Sequence, residues 1–254
     1  GFDATSMVLM MALVLGLLGL HSLRRSSAIP ASTVQLHTKP AMPSPWADAS
    51  FRRLLSVFML NGVAAAIPAT LLPFFVMDRL HAPDLQPLLL LCYFGAAAAG
   101  LPLWVKAVSR WGLAPSWRAG MLASVIAFSI TPWLGAGDSW IFTIICLTSG
   151  LALGADLALP GALLTGVIHE SGQGGSAEGR YLGWWACAAK LNLALAAGLC
   201  LPLLAAMGYR SGTTDPAGLQ ALAWAYGGLP CLFKLMAWAC PWPGERLPPT
   251  WSPK

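Results

Sequence analysis

Three charged residues lie inside long apolar segments of the sequence: Asp156, Lys190 and Lys234. A charged side chain at the centre of a membrane-spanning helix costs about 2.5–3.5 kcal/mol on insertion scales. Such residues usually face the interior of a helix bundle or a water-filled cavity, where they bind a solute or an ion or pair with each other. The three positions therefore predict polar chemistry inside an otherwise apolar protein.

Lys190 lies near the middle of the apolar segment 181–207, about 6 Å from mid-bilayer at 1.5 Å per residue. Trp185 precedes it and offers a flat face on which a sugar ring could stack, or it could be an anchor at the membrane interface. A stripe of small residues surrounds the lysine, which favours a cavity but would also suit close packing of another helix. These residues are Gly183, Ala186, Cys187, Ala194, Ala197 and Gly198.

Asp156 lies beside the small residues Gly150, Gly154 and Ala158, and four residues before Pro160. A proline in a helix removes one backbone hydrogen bond, and transporters tend to build sites at such interruptions near mid-bilayer. Asp156 could pair with the lysine of the next span, Lys190, or could handle a solute or a proton.

Two further polar residues, Lys234 and Asn61, are weaker candidates for a functional site. Lys234 is close enough to the predicted cytoplasmic end of its helix for its ammonium group to reach the membrane interface, and we expect it to do so. Asn61 could bridge two helices or line a solute path.

The elements that position these residues are apolar segments of membrane-spanning length. The sequence is 57% hydrophobic and 10% charged, whereas soluble domains carry about 25% charged residues. A helix of about 20 apolar residues crosses a bilayer. The composition therefore predicts an all-α, polytopic membrane helix bundle. The segments are 4–22, 54–77, 86–105, 119–135, 140–168, 181–207 and 219–240.

Charge placement orients the predicted helices. If the segment 24–53, rich in Pro, Ser and basic residues, is a cytoplasmic linker, most of the fifteen lysines and arginines lie on the cytoplasmic side. Only Arg79 and Arg210 lie on the other side, as the positive-inside rule requires. We therefore expect a partial helix at 1–23, the linker, a six-helix bundle at 54–240 and a cytoplasmic tail at 241–254. This placement explains the basic sequence without a nucleic-acid partner.

Motifs for other chemistry are missing from the sequence. It contains no GxxxxGK[ST] phosphate loop, its histidines are scattered, and its six cysteines occur singly. No local pattern suggests a nucleophile and base or a metal site. We therefore expect neither an enzyme nor a bound cofactor.

Four stretches resemble the glycoside–pentoside–hexuronide:cation symporters, the melibiose-permease-like branch of the major facilitator superfamily. GADLALPGALLTGV (154–167) and EGRYLGWWACAAKLNLALAAGLCLPLLAAMGY (178–209) resemble helices ten and eleven of that family. LPLWVKAVSRWG (101–112) resembles the basic turn between helices eight and nine, and YGGLPCLFKLMAW (226–238) resembles helix twelve. The segment 4–22 would be helix six.

The resemblance implies two six-helix bundles that rock around a central site and take up a sugar or sugar-like solute with Na⁺ or H⁺. Lys190 falls on the cavity lysine of helix eleven, and Trp185 and Asp156 match residues common in the family. The family's cation-binding carboxylates lie on helices two and four, which have no counterpart here. The resemblance thus implies a C-terminal half in a bacterial inner membrane, inactive without its N-terminal bundle. The other hypothesis is a truncated, non-transporting membrane protein or scaffold.

Overall fold

The described residues of the computed structural model are 44–172 and 177–242, all within one compact unit. The partial helix predicted at 1–23, most of the linker and nearly all of the tail at 241–254 lie outside them. The described part of the chain is helical and contains no strand, which confirms the predicted fold class.

Two π-helical turns modify the helices: Phe75–Arg79 extends the first, and Trp224–Gly228 joins the last two into one run. The α-helices of the described residues are α1 (Ala49–Phe74), α2 (Gln86–Trp111), α3 (Leu113–Phe128), α4 (Ser139–Glu170), α5 (Glu178–Ala206), α6 (Pro216–Ala223) and α7 (Leu229–Ala239). Short 3₁₀ helices are Pro45–Ala47, Pro83–Leu85 and Thr131–Trp133.

Five helical runs in the described ranges are long and apolar enough to cross a membrane. They contain α1, α2, α3, α4 and α5. The run formed by α6 and α7, which the apolar pattern predicts as a sixth span, is not among them. It carries Gln220 and Lys234, whose polar side chains lower its mean hydropathy.

The first helix begins earlier than its apolar pattern predicts. Asp48 caps α1, since its side chain accepts hydrogen bonds from the backbone N–H groups of Ser50 and Phe51. The helix therefore starts at Ala49 rather than at 54, and its first turns contain Arg52 and Arg53, which the sequence had placed in the linker. Hydropathy misses this start because a capped first turn can be polar.

The helices pack as two interlocked groups of three. In the first group, α2 and α3 pack against α4; in the second, α5 and α7 pack against α1. Contact between α3 and α7 closes the bundle. The helices on which the other members of each group pack, α4 and α1, also contact each other, so α1 and α4 occupy the centre.

Small residues allow the closest helix contact, between α2 and α4. A Cβ atom added to Gly150 would collide with the backbone carbonyl of Tyr93, and one added to Gly154 would lie 2.9 Å from the carbonyl oxygen of Ala97. The backbones of α2 and α4 therefore touch at these glycines. Two of the three small residues predicted beside Asp156, Gly150 and Gly154, thus form this helix–helix contact.

Contacts at the helix ends agree with spans that alternate in direction. At one end, Tyr181 at the start of α5 donates to Asp48 over 3.4 Å and packs edge-on against Phe51 of α1. At the other end, Arg79 after α1 donates to the carbonyl of Leu134, which precedes α4, over 2.7 Å.

A buried carboxylate fastens the loop after α5 to the end of α1. Asp78 is 6% exposed and accepts hydrogen bonds from the Tyr209 hydroxyl at 2.5 Å and from the Gly212 N–H at 2.9 Å. Burial first, and then the hydrogen bond to Asp78, raises the pKa of the Tyr209 hydroxyl above its ordinary value of 10.

This raised pKa predicts a loss of stability in alkali. Above about pH 10 the unfolded tyrosine ionises while the folded one keeps its proton, so the free energy of unfolding falls as pH rises. We expect the unfolding temperature to fall less steeply between pH 9 and 11 in Tyr209→Phe than in the parent protein, measured in detergent. Identical slopes for the two proteins would show that Tyr209 contributes nothing to this fall.

Candidate functional site

Four helices contribute one side chain each to a polar cluster in the bundle: Asn61 of α1, Trp117 of α3, Asp156 of α4 and Lys234 of α7. The Lys234 ammonium lies 2.7 Å from Asp156 Oδ2 and donates to Asn61 Oδ1 at 2.7 Å. Asp156 Oδ1 accepts from Asn61 Nδ2 at 3.0 Å and from Trp117 Nε1 at 2.8 Å. We call these four residues the central cluster.

The central cluster neutralises and satisfies two buried charges. The side chains of Lys234 and Asp156 are only 5% and 10% exposed. A lone charge here would be costly, whereas an ion pair with its hydrogen bonds made is tolerated. Both carboxylate oxygens of Asp156 are occupied by N–H donors, so a solute or metal ion would have to displace a protein group to bind them.

The partner of Asp156 is Lys234, and the proposed pairing with Lys190 was wrong. So was the expectation that Lys234 reaches the interface, because the residue is 4% exposed and bonded within the bundle. The reason is helix order in space. The run after α5 returns to pack against α1 and α3, beside α4, whereas α5 packs mainly against α1.

Lys190 lies on the outside of the described bundle. It is exposed, whereas Ala188 and Asn192, two residues to either side, are buried. Two residues correspond to about 200° around a helix, so Lys190 points away from α1. A Cβ atom on Gly183 or Gly198 would meet no other atom within 4 Å. Within the described residues, the small-residue face around Lys190 is therefore open.

Trp185 is half-buried and stacks on Phe58 of α1, with ring centroids 3.8 Å apart and an interplanar angle of 23°. One of its two faces is thus covered by a protein side chain. Only the remaining exposed part of the indole is available to a ligand.

Sequence reasoning missed the role of Trp117. Tryptophans near the ends of membrane helices usually anchor the protein at the interface. Trp117 is instead fully buried and uses its only donor on Asp156. No local pattern distinguishes it from an interfacial tryptophan, since its acceptor lies 39 residues later in the chain.

A small cavity adjoins the central cluster. Asp156 and Lys234 form part of its wall, and five helices contribute to the rest. It has room for about one water molecule. Other lining residues include Ala64, Tyr93, Ser124, Ser149 and Leu153.

Among the described residues, no group of three or more His, Cys, Asp or Glu side chains could hold a metal ion. The exposed Cys187 and the buried Cys146 and Cys200 are free thiols.

In the described ranges, an all-helical bundle with five apolar runs of spanning length and a neutralised charge pair inside indicates an integral membrane protein. The family model described as MFS/sugar transport protein matches residues 4–242, and the chain belongs to this family. The match confirms the resemblance to the melibiose-permease-like branch. No curated protein matches the chain by sequence comparison.

Proposed function

We propose that this chain is the C-terminal half of a secondary active transporter that moves a sugar, or a sugar-like glycoside, pentoside or hexuronide, together with Na⁺ or H⁺. The observation that carries the proposal is Lys190, an exposed amine in the middle of an apolar run, on a face of small residues. An intramembrane lysine without a protein partner within the described ranges needs water, a solute or another bundle beside it.

The roles of the candidate residues follow from where they lie. Lys190 would donate hydrogen bonds to solute hydroxyls or to a uronide carboxylate, and the exposed part of Trp185 would stack against a sugar ring. Asp156 and Asn61 would support the site without contacting the solute. They belong to the central cluster, which joins α1 and α4 to α3 and α7. Their hydrogen bonds keep the two central helices in register.

The coupling cation would bind to carboxylates of an N-terminal six-helix bundle, since both oxygens of Asp156 are already bonded. Without that bundle the Lys190 face has no opposing wall, and this polypeptide alone would not catalyse ion-driven uptake. Membership of the family supports a membrane protein, and the lysine and arginine bias supports a cytoplasmic C-terminus; the proposed location is a bacterial inner membrane.

Cys187 provides a test of the Lys190 face. It is exposed and lies three residues before Lys190, on the same side of α5. In the intact transporter, with Cys187 as the only remaining thiol, we expect rapid reaction with a charged, membrane-impermeant methanethiosulfonate reagent, because thiolates form in water and not in lipid. A transported sugar should slow the reaction by covering the face.

The control is the matched variant that keeps only Cys146, a buried thiol of α4, which should not react. If Cys187 were as unreactive toward the charged reagent as Cys146, the face would lie in lipid. That result would remove the solute site from Lys190.

A further inference from the structure

Lys234 has one hydrogen-bond donor left over. An ammonium group carries three N–H donors, and two of them are used by Asp156 and Asn61. Since Lys234 is 4% exposed, bulk water does not supply an acceptor for the third. Lys234 lines the small cavity, so an acceptor could be provided there.

Ser124 of α3 lines the same cavity and is 4% exposed. Its hydroxyl makes no hydrogen bond to any other described residue, although serines inside helices commonly bond to the carbonyl four residues earlier. Ser149, across the cavity on α4, does so, with Oγ 2.6 Å from the carbonyl oxygen of Ile145. The Ser124 hydroxyl therefore remains available to a group inside the cavity.

A third polar group is the backbone carbonyl of Ala64, which Pro68 leaves without a helical hydrogen bond. Pro68 has no N–H, so the carbonyl of Ala64, four residues earlier in α1, lacks its normal helical donor. Ala64 and Pro68 both line the cavity. Residues that carry an acceptor on α1, a hydroxyl on α3 and an ammonium donor on α7 thus line a space of about one water molecule.

We propose that this cavity is a binding site for a single water molecule. The water accepts a hydrogen bond from Lys234, exchanges one with Ser124 and donates to the free carbonyl of Ala64. Three partners are the typical number for a buried water. The site completes the bonding of Lys234 and extends the central cluster to the hydroxyl of α3 and the backbone of α1. It does not depend on which solute the transporter carries.

The site can be tested in the intact, detergent-solubilised transporter by X-ray footprinting and by a structure at water-resolving resolution. Radiolysis of a bound water oxidises adjacent side chains, and Tyr93 lines the cavity. We expect Tyr93 to be oxidised faster than Tyr226, a buried tyrosine that does not line the cavity, and we expect this excess to depend on Ser124. We also expect density within hydrogen-bonding distance of Lys234 Nζ and Ser124 Oγ.

Ser124→Val should fill the space and abolish both the density and the excess oxidation of Tyr93. Ser149→Ala is the matched control, because its hydroxyl is already bonded to its own helix, and it should keep both signals. If Ser124→Val does not fold, Ser124→Ala should weaken the density by removing one partner. Equal Tyr93 oxidation in parent and Ser124 variants, or a parent structure without density at this point, would refute the site.

Discussion

Replacing Lys234 with methionine is expected to destabilise the protein by about 3–5 kcal/mol, because it leaves the Asp156 carboxylate buried without its counter-charge. The carboxylate would keep the hydrogen bonds from Asn61 and Trp117 but lose the ammonium at 2.7 Å. Methionine retains much of the packing volume of the lysine stem. The loss of stability therefore reflects the missing charge rather than a cavity. The unfolding temperature of the purified, intact transporter in detergent measures the effect.

Two further variants distinguish the effect of breaking the ion pair from the effect of removing a lysine. The double variant Asp156→Asn with Lys234→Met should regain most of the lost stability, since an amide oxygen at 156 still accepts from Trp117 and no charge remains buried. Lys190→Met is the matched control: it removes an exposed lysine of α5 and should leave the unfolding temperature nearly unchanged while weakening solute binding. A double variant as unstable as Lys234→Met alone would show that the ion pair is not what stabilises this region.

The second large effect is expected at Gly150. Gly150→Ala places a methyl group against the backbone carbonyl of Tyr93, where only movement of a whole helix can relieve the collision. Overpacking of this kind costs about 1–3 kcal/mol, and it should separate α2 from α4. We expect a lower unfolding temperature and less folded protein in the membrane, measured by fluorescence-detected size-exclusion chromatography.

Gly161→Ala is the control on the same helix. A Cβ atom there meets nothing within 4 Å, and alanine is the better helix former by about 0.5–1 kcal/mol, so this variant should be neutral or slightly stabilised. If the two variants behaved alike, helix propensity rather than the contact between α2 and α4 would govern the response to Cβ addition.

The sequence by itself determined the class of the protein and the approximate positions of the helices in its described part. Apolar runs of spanning length mark helices because every backbone group in a bilayer must find its hydrogen bond within the segment. The same property made Asp156, Lys190 and Lys234 visible as candidate site residues, since a charge in such a run is rare. Helix starts were less visible: the Asp48 cap of α1 is polar, and hydropathy does not register it.

Only the tertiary structure decided which charges meet. Lys190 is closer to Asp156 in the chain than Lys234 is, and it lies on the next span. The return of the α6–α7 run to α1 and α3 nevertheless puts Lys234 beside α4 and leaves Lys190 outside. Helix neighbours are set by side-chain packing over whole surfaces, such as the glycine contact of α2 with α4, and hydrophobic periodicity does not encode them. For the same reason Trp117 could not be distinguished from a tryptophan at the membrane surface until its position against Asp156 was known.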